Sequence, residues 1–293
     1  MKTRARLALA LALLAGPVAA EQPRLSNGRT ETRPAAAGLE ATVRPLLRAA
    51  TSPTWIGWSA ATDRDRQMCC WDSSRDSGCC AGCRLESGSG NWSSSTSTRD
   101  GVVKLEGERE MFVLLRAEAG ELTKLRTFSP DCALDAGGTT LHWLEGVRPG
   151  ESVRFLAGLA DDKGGARTAQ KLADQALSAL AFHAEPSAID ALIERARRAD
   201  TSHLRGQALF WLAQRAGDKA VQTIARALDE DPETDVKKKA VFALSQLPRD
   251  EGVPLLIQTA RTNKNPAVRK QAFFWLGQSK DSRALAFFEE VLK

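Results

Sequence analysis

The stretch QALFWLAQRAGDKAVQTIARAL (207–228) is one copy of a pattern that fills the second half of the chain. It belongs to a series of four in which each copy starts 32 residues after the one before, the others being QALSALAFHAEPSAIDALIERA (175–196), KAVFALSQLPRDEGVPLLIQTA (239–260) and QAFFWLGQSKDSRALAFFEEVL (271–292). All four copies have alanine at the second position and leucine at the sixth. A fixed period of this size is typical of a stacked repeat architecture.

Within one copy the apolar residues follow a helical spacing. Leu204, Ala208 and Leu212 stand at i, i+4 and i+8, which places them on one face of a helix. A turn at Gly217-Asp218 and a second apolar series follow, and Asp-Pro at 231–232 breaks the chain before the next copy. Each copy is therefore predicted to be a helix hairpin whose apolar face is buried only by stacking. We predict an all-α solenoid of about four hairpins over residues 171–293.

This pattern resembles the HEAT family, in the short bacterial form related to the phycobilisome-lyase-type repeats. The resemblance covers about residues 170–293 and implies a scaffold for a protein or peptide partner. In that family the second helix of each repeat lines the concave, binding side. Transferred by position, the partner-binding candidates are Asp190, Glu194, Gln222, Arg226, Gln258 and Arg261. They carry no single sign of charge, and a merely solvated face remains an alternative.

Aromatic residues recur at fixed positions of the repeat, with Phe210, Phe242 and Phe274 at one position and Trp211 and Trp275 at the next. Such rings are expected to fill the contact between adjacent hairpins. The alternative is that some of them form a partner-binding patch. The last hairpin ends in Phe287-Phe288 with little polar cover, which suggests homo-association through that hairpin.

The first half of the chain reads as strands and loops. Strands are predicted at TWIGWS (54–59), VVKLEG (102–107), MFVLLRAE (111–118), ELTKLRTFS (121–129) and TTLHWLEGV (139–147), with a hairpin turn at Ala119-Gly120. A short amphipathic helix begins at Leu39. The fold class is thus α+β multidomain. We expect a flexible lead-in at 21–37, a small mainly β, Cys-rich domain at 38–150 with a long loop at 60–100, and a linker or cap helix at 151–170 before the solenoid.

The N-terminal stretch MKTRARLALALALLAGPVAA (1–20) has the form of a cleaved export signal, with a basic start, a short apolar run and a small-residue end. Its apolar run is shorter than the roughly 20 residues that a membrane span needs. The full chain has 41 Lys+Arg against 36 Asp+Glu, and removal of the three cations of the signal leaves 38 against 36. The sequence therefore predicts a periplasmic or secreted protein with no membrane span and no nucleic-acid partner.

The six cysteines are Cys69, Cys70, Cys79, Cys80, Cys83 and Cys132. An even number in an oxidising compartment favours a disulfide framework. Because adjacent α-carbons are too close for a normal disulfide, neighbours in sequence are not expected to pair with each other. Two alternatives remain open. Four of the cysteines, or three together with His142, could bind zinc, or the CxxC at 80–83 could carry thiol redox chemistry.

No catalytic motif accompanies these features, since GxSxG, HExxH and GxxxxGK[ST] are all missing from the sequence. We therefore predict a non-enzymatic protein-interaction scaffold that needs no cofactor. A metal-binding or thiol-active module carried on the repeats is the alternative. A lyase-like activity is suggested only by the resemblance to phycobilisome-related repeats.

Overall fold

The computed structural model describes residues 22–63, 84–86, 109–130, 134–161, 166–215 and 217–293. Its strands are β1 (Leu25–Ser26), β2 (Arg29–Pro34), β3 (Thr54–Ala61), β4 (Glu110–Glu118), β5 (Glu121–Phe128), β6 (Leu134–Asp135) and β7 (Thr140–Glu145). Its first two helices are α1 (Leu39–Ala49) and α2 (Pro149–Leu159). The predicted export signal, the strand at 102–107 and all six cysteines lie outside the described residues.

Five of the described strands form one mixed sheet in the order β2-β7-β3-β4-β5, beside a small parallel pair of β1 and β6. The antiparallel strands β4 and β5 meet at Ala119 and Gly120, whose φ angles are 51° and 81°. Two consecutive residues with positive φ form the turn that best matches the twist of a hairpin. The predicted hairpin is present, and β3 and β7 lie where strands were predicted.

The prediction of a flexible lead-in at 21–37 is wrong from Gln22 onward. This segment contains β1 and β2, and β2 pairs in parallel with β7 from Arg29 opposite Thr140 to Pro34 opposite Glu145. The strand is at the edge of the sheet, and its side chains are exposed or half-buried. Because no face of β2 enters the core, its sequence has no apolar alternation by which a strand could be recognised.

The central strand β3 is buried on both faces of the sheet. Its alternating sequence had predicted burial on one face only. Trp55 and Trp58 point to opposite faces, and both are fully buried. Gly57 lies between close neighbours, since a Cβ built there would be 2.3 Å from Leu114 Cδ2. The indole Nε1 of Trp58 donates to Ser152 Oγ at 2.9 Å, which fixes α2 on one face of the sheet.

From residue 166 onward the described part of the chain has eight helices arranged as four hairpins, as predicted. They are α3 (Arg167–Phe182), α4 (Ser187–Arg198), α5 (Ser202–Arg215), α6 (Asp218–Glu230), α7 (Thr234–Gln246), α8 (Arg249–Thr262), α9 (Pro266–Ser279) and α10 (Ser282–Val291). The alanines and leucines that the four copies share are at most 1% exposed. We call α3, α5, α7 and α9 the first row, and α4, α6, α8 and α10 the second row.

The sheet packs directly against the start of the helical stack. The backbone N–H of Leu125 in β5 donates to Gln175 Oε1 in α3 at 3.0 Å, and Arg195 in α4 donates to the carbonyl of Ala157 in α2 at 2.8 Å. Arg215 in α5 pairs with Asp63 after β3 at 2.8 Å. One hydrophobic core consequently runs from α1 and the sheet into the last hairpin.

Candidate partner-binding surface

The six residues predicted to bind a partner all lie on second-row helices. Five are exposed, and the sixth, Glu194, is half-buried. The charged members take part in ion pairs, namely Asp190 with Lys219 at 3.3 Å, Glu194 with Arg198 at 3.3 Å, Arg226 with Glu230 at 3.8 Å and Arg261 with Glu290 at 2.6 Å. Exposed pairs of this kind contribute about 0–1 kcal/mol each. The surface is therefore accessible, but it has mixed charge and each charge is already paired.

The two rows of helices differ in spacing. Neighbouring first-row helices, such as α5 and α7, contact each other much more extensively than neighbouring second-row helices such as α4 and α6. Helices on the inner side of a curved stack are closer together than those on its outer side. The contacts thus place the first row on the inner side, which reverses the placement that the resemblance implied. The binding role of the six residues remains a prediction.

The reversal follows from where one repeat ends and the next begins. The most extensively packed consecutive helices are α4 with α5, α6 with α7 and α8 with α9. These pairs bridge the breaks that the sequence predicted between units. The packing unit is therefore a second-row helix followed by a first-row helix, one helix out of phase with the predicted hairpin.

A groove of about 470 Å³ separates α6 from α8 in the second row. Its lining includes Leu228 from α6, Lys237 from α7 and Gln258 from α8, the last being one of the predicted residues. The ammonium of Lys237 donates to the carbonyl of Asp229 at 2.8 Å and so bridges α7 and α6 in the lining of the groove. The groove provides mixed polar and apolar contacts on the outer side of the stack.

The aromatic residues of the first row form a continuous series of ring contacts, which we call the aromatic ladder. In order along the stack, the contacts are Phe182 with Trp211 at 5.5 Å, Trp211 with Phe210 at 5.0 Å, Phe210 with Phe242 at 5.8 Å, Phe242 with Trp275 at 5.0 Å and Trp275 with Phe274 at 5.0 Å. These distances fall in the attractive range for aromatic pairs.

Burial differs between the two aromatic positions of the repeat. Trp211 is 9% exposed and packs in the core, whereas Phe210 and Phe242 are half-buried and Phe274 is 53% exposed. Trp211 thus follows the core prediction, Trp275 is half-buried against the core, and the phenylalanine position reaches the surface of the inner side. Along its phenylalanine edge, the ladder is accessible in the way that the alternative prediction of a partner-binding patch requires.

A polar group lies on the same row and was missed by the sequence analysis. His203 Nε2 in α5 is 2.8 Å from Asp174 Oδ1 in α3. The side chain of Lys239 in α7 crosses Gly206, where an added Cβ would be 2.0 Å from Lys239 Cδ. Burial lowers the pKa of Lys239, and the charges of Asp174 and Asp235 oppose that shift. The sequence did contain an indication of this close contact at Gly206, because the next two copies have lysine at the same position.

The model of the family described as HEAT repeats matches residues 221–293. Residues 221–293 are HEAT repeats. The match begins inside α6, and thus at a second-row helix, in agreement with the packing unit. The 32-residue register extends the same architecture back through α3–α5. HEAT repeats typically serve as scaffolds for protein interaction.

Among solved structures, human deoxyhypusine hydroxylase in complex with glycerol is similar to part of the chain. The identity is 22%, the similar region covers 44% of this chain and 43% of that protein, and the TM-score is 0.36. The chain therefore spans less than half the length of that protein. No curated protein matches the sequence at a significant level.

The remaining sequence predictions meet the structure only in part. The cysteines, predicted as disulfide partners, lie outside the described residues. His142, the additional ligand considered for a metal site, lies in β7 with Nδ1 3.3 Å from Glu31 Oε2 in β2. Burial lowers the pKa of His142, although Glu31 acts in the opposite direction.

None of the described helices combines the length and apolar character that crossing a bilayer requires.

Proposed function

We propose that this protein is a non-enzymatic scaffold that binds a protein or peptide partner along the first row of its HEAT-like stack. The observation that carries the proposal is the aromatic ladder, whose phenylalanine edge is accessible while Trp211 is buried in the core and Trp275 is half-buried against it. Aromatic side chains, phenylalanine among them, are enriched in the cores of protein interfaces.

The polar residues beside the ladder complete such a surface. The pair of His203 and Asp174 and the ammonium of Lys239 lie on the same three helices as the rings. An apolar centre with a polar rim is the usual arrangement of an interface. The partner that fits best is an extended or helical segment with apolar side chains and at least one acceptor for Lys239.

A comparison of two variants tests which row binds. The full-length protein serves as bait for partner capture with chemical cross-linking, beside Phe242→Ala in the first row and the triple variant Gln222→Ala, Arg226→Ala, Gln258→Ala in the second row. We expect Phe242→Ala to lower partner recovery at least about tenfold, which corresponds to about 1.4 kcal/mol. The second-row variant should bind like the wild type. Loss of binding only in the second-row variant would overturn the choice of row, and equal binding by all three would overturn the proposal.

A second candidate function concerns the Cys-rich segment. The residues that follow Cys83 are anchored on the sheet, where Leu85 is fully buried and Glu86 Oε1 accepts from Trp55 Nε1 at 3.0 Å. This anchor holds residues 84–86, which directly follow the cysteine cluster in sequence, and a long segment without secondary structure calls for such fastening. We favour structural disulfides in an exported protein.

Free-thiol titration and metal analysis of the native protein separate these two candidates. No free thiol and no bound metal supports the disulfide framework, whereas several free thiols or stoichiometric zinc supports the metal-binding or thiol-active module. Export itself is tested by fractionating a bacterial host and sequencing the N-terminus of the recovered protein. We expect a periplasmic product that begins near Glu21, and an uncleaved cytosolic product would count against export.

A further inference from the structure

The phenylalanines of the aromatic ladder in α5, α7 and α9 are flanked by glutamines in a regular pattern. On each helix, the residue three positions before the phenylalanine and the residue four positions after it share its face. Five of these six positions hold glutamine and one holds lysine, as Gln207, Gln214, Lys239, Gln246, Gln271 and Gln278. We call the five glutamines the flanking amides. In α3 the phenylalanine position is Ser178, so the pattern spans the last three helices of the first row.

The flanking amides are accessible, and most of them have no partner. Each of the five side chains is half-buried or exposed. Gln246 donates only to its neighbour Ser245, at 3.1 Å. The other four make no hydrogen bond within the described part of the chain, namely Gln207, Gln214, Gln271 and Gln278. A side-chain amide has two N–H donors and one carbonyl acceptor, so this surface can bind a main chain whose own peptide groups need hydrogen bonds.

The spacing of the pattern selects the conformation of that main chain. Since α5 contacts α7 and α7 contacts α9, the flanking amides repeat at the distance of packed helices, which is about 8–10 Å. A polyproline II segment advances about 9 Å in one turn of three residues, and therefore presents the same face once per helix. Its main chain forms no internal hydrogen bonds, so its carbonyl groups are free to accept from the amides.

Two other peptide conformations match this surface less well. In a β-strand the third residue along the chain points to the opposite face, so equivalent side chains do not recur at about 10 Å. In an α-helix the carbonyl groups are bonded within the helix, which leaves the flanking amides without main-chain acceptors. Polyproline II segments dock into aromatic-lined grooves, because the conformation is already formed before binding.

Building on the proposed function of the same surface, we propose that the first row recognises a proline-rich segment in the polyproline II conformation. The proline rings pack against Phe210, Phe242 and Phe274. The carbonyl groups of the segment accept from the flanking amides and from the ammonium of Lys239. Three helices at this spacing accommodate about six to nine residues of the partner.

Fluorescence anisotropy with labelled dodecaproline tests the proposal on the full-length protein, beside a Gly-Ser peptide of the same length. We expect saturable binding of dodecaproline and at least about tenfold weaker binding of the Gly-Ser peptide, which has no preformed conformation. The double variant Gln214→Ala, Gln246→Ala should bind dodecaproline about tenfold more weakly, because each lost hydrogen bond contributes roughly a two- to tenfold change. The matched control is Gln170→Ala on α3, outside the pattern, which should bind like the wild type.

Other results of this measurement contradict the proposal. Equal binding of the two peptides would show that the polyproline conformation is not recognised. Equal binding of dodecaproline by the wild type and the double variant, or an equal loss in Gln170→Ala, would show that the flanking amides do not form the site. The substituted glutamines are half-buried or exposed, so the midpoint of thermal unfolding should match the wild type and exclude misfolding as a cause.

Partner capture with Phe242→Ala separates this inference from the proposed function. If the variant loses the captured partner while the wild type does not bind dodecaproline, the first row still binds a partner and only the polyproline conformation is wrong. If the variant retains both the captured partner and dodecaproline, neither ligand uses the ladder, and both proposals are overturned.

Discussion

The helical stack and the sheet are built from different kinds of sequence information. In the stack, every hairpin repeats the same buried alanine and leucine positions and contacts its neighbours in the chain. In the sheet, β7 lies between β2 and β3, which are both distant from it in sequence. A periodic pattern therefore specifies the stack locally, whereas the sheet depends on long-range pairing and on side chains that bury both of its faces.

The largest expected effect addresses whether these two regions fold together. Trp143 in β7 is fully buried against Phe112, with ring centroids 5.1 Å apart. Trp143→Ala should lower the free energy of unfolding by about 4 kcal/mol because it leaves a large cavity. Leu212→Ala in the stack should lower it by about 3 kcal/mol. In urea unfolding followed by circular dichroism, both variants should shift one shared transition, and separate transitions for the two regions would contradict a common core.

A smaller effect is expected from pH at the joint between the two regions. His183 is fully buried, and Ala184 beside it donates to the carbonyl of Ala61 at the end of β3 at 2.8 Å. Burial lowers the pKa of His183 from 6.5 to about 4, because the imidazolium is poorly solvated there. The unfolded chain therefore binds the proton more readily than the folded protein. Stability should fall as the pH drops below about 6.5, and the loss should be complete near pH 4, for a total of about 3 kcal/mol.

The control for this pH dependence is His183→Gln. Its side-chain carbonyl can accept the backbone N–H of Glu185, as His183 Nδ1 does at 3.1 Å, but it does not titrate. Denaturant unfolding at several pH values should show a flatter dependence for the variant between pH 4 and 6.5. An equally steep dependence in both proteins would mean that His183 is not the group responsible.

An effect of about 2 kcal/mol is expected at the anchor of residues 84–86 on the sheet. Arg116 Nε donates to Glu86 Oε1 at 2.7 Å, and these side chains are only 12% and 20% exposed. Glu86→Gln removes the charge from a partly buried, charge-assisted hydrogen bond and should destabilise the fold by about 2 kcal/mol. Glu118→Gln is the matched control, since Glu118 pairs with the same arginine but is 41% exposed. It should cost clearly less in the same urea measurement, and equal losses would argue against the anchor.

The smallest effect is expected on the outer side of the stack. Arg226 pairs with Glu230 at 3.8 Å, and both side chains are more than half exposed. Arg226→Ala should change the free energy of unfolding by less than about 0.5 kcal/mol. A loss above about 1 kcal/mol would show that the second row contributes more to the stack than its exposed pairs indicate.

The sequence predicted those parts of the fold that a short pattern can encode. The helix hairpins follow from the apolar spacing of each copy, and the hairpin of β4 and β5 follows from Ala119-Gly120. The edge strand β2 was not predicted from the sequence, because its pairing with β7 involves backbone atoms and no buried face. The burial of both faces of β3 was not predicted either, because Leu85 and Leu134, which help to cover the second face, are distant from β3 in sequence.

For the candidate site, the sequence predicted the recurring aromatic positions, but it did not show which row of helices packs more closely. The repeat register identified the phenylalanine and tryptophan positions of the ladder. The register does not show at which helix a repeat begins, because a 32-residue period is unchanged when the unit starts one helix later. We call this starting point the frame of the repeat. Packing between helices decides the frame, and that information is long-range. The His203 and Asp174 pair likewise joins two copies of the repeat and is invisible within either one.

The central claim is that the sheet and the HEAT-like stack share one continuous core, which gives the inner row a rigid support. Hydrogen exchange of the native protein, followed by mass spectrometry, tests it most directly at the contact of β5 with α3. We predict that peptides from both elements exchange only through the same opening, with equal protection and an equal response to added urea. Exchange of β5 through a separate opening of much lower free energy, while α3 stays protected, would contradict the claim.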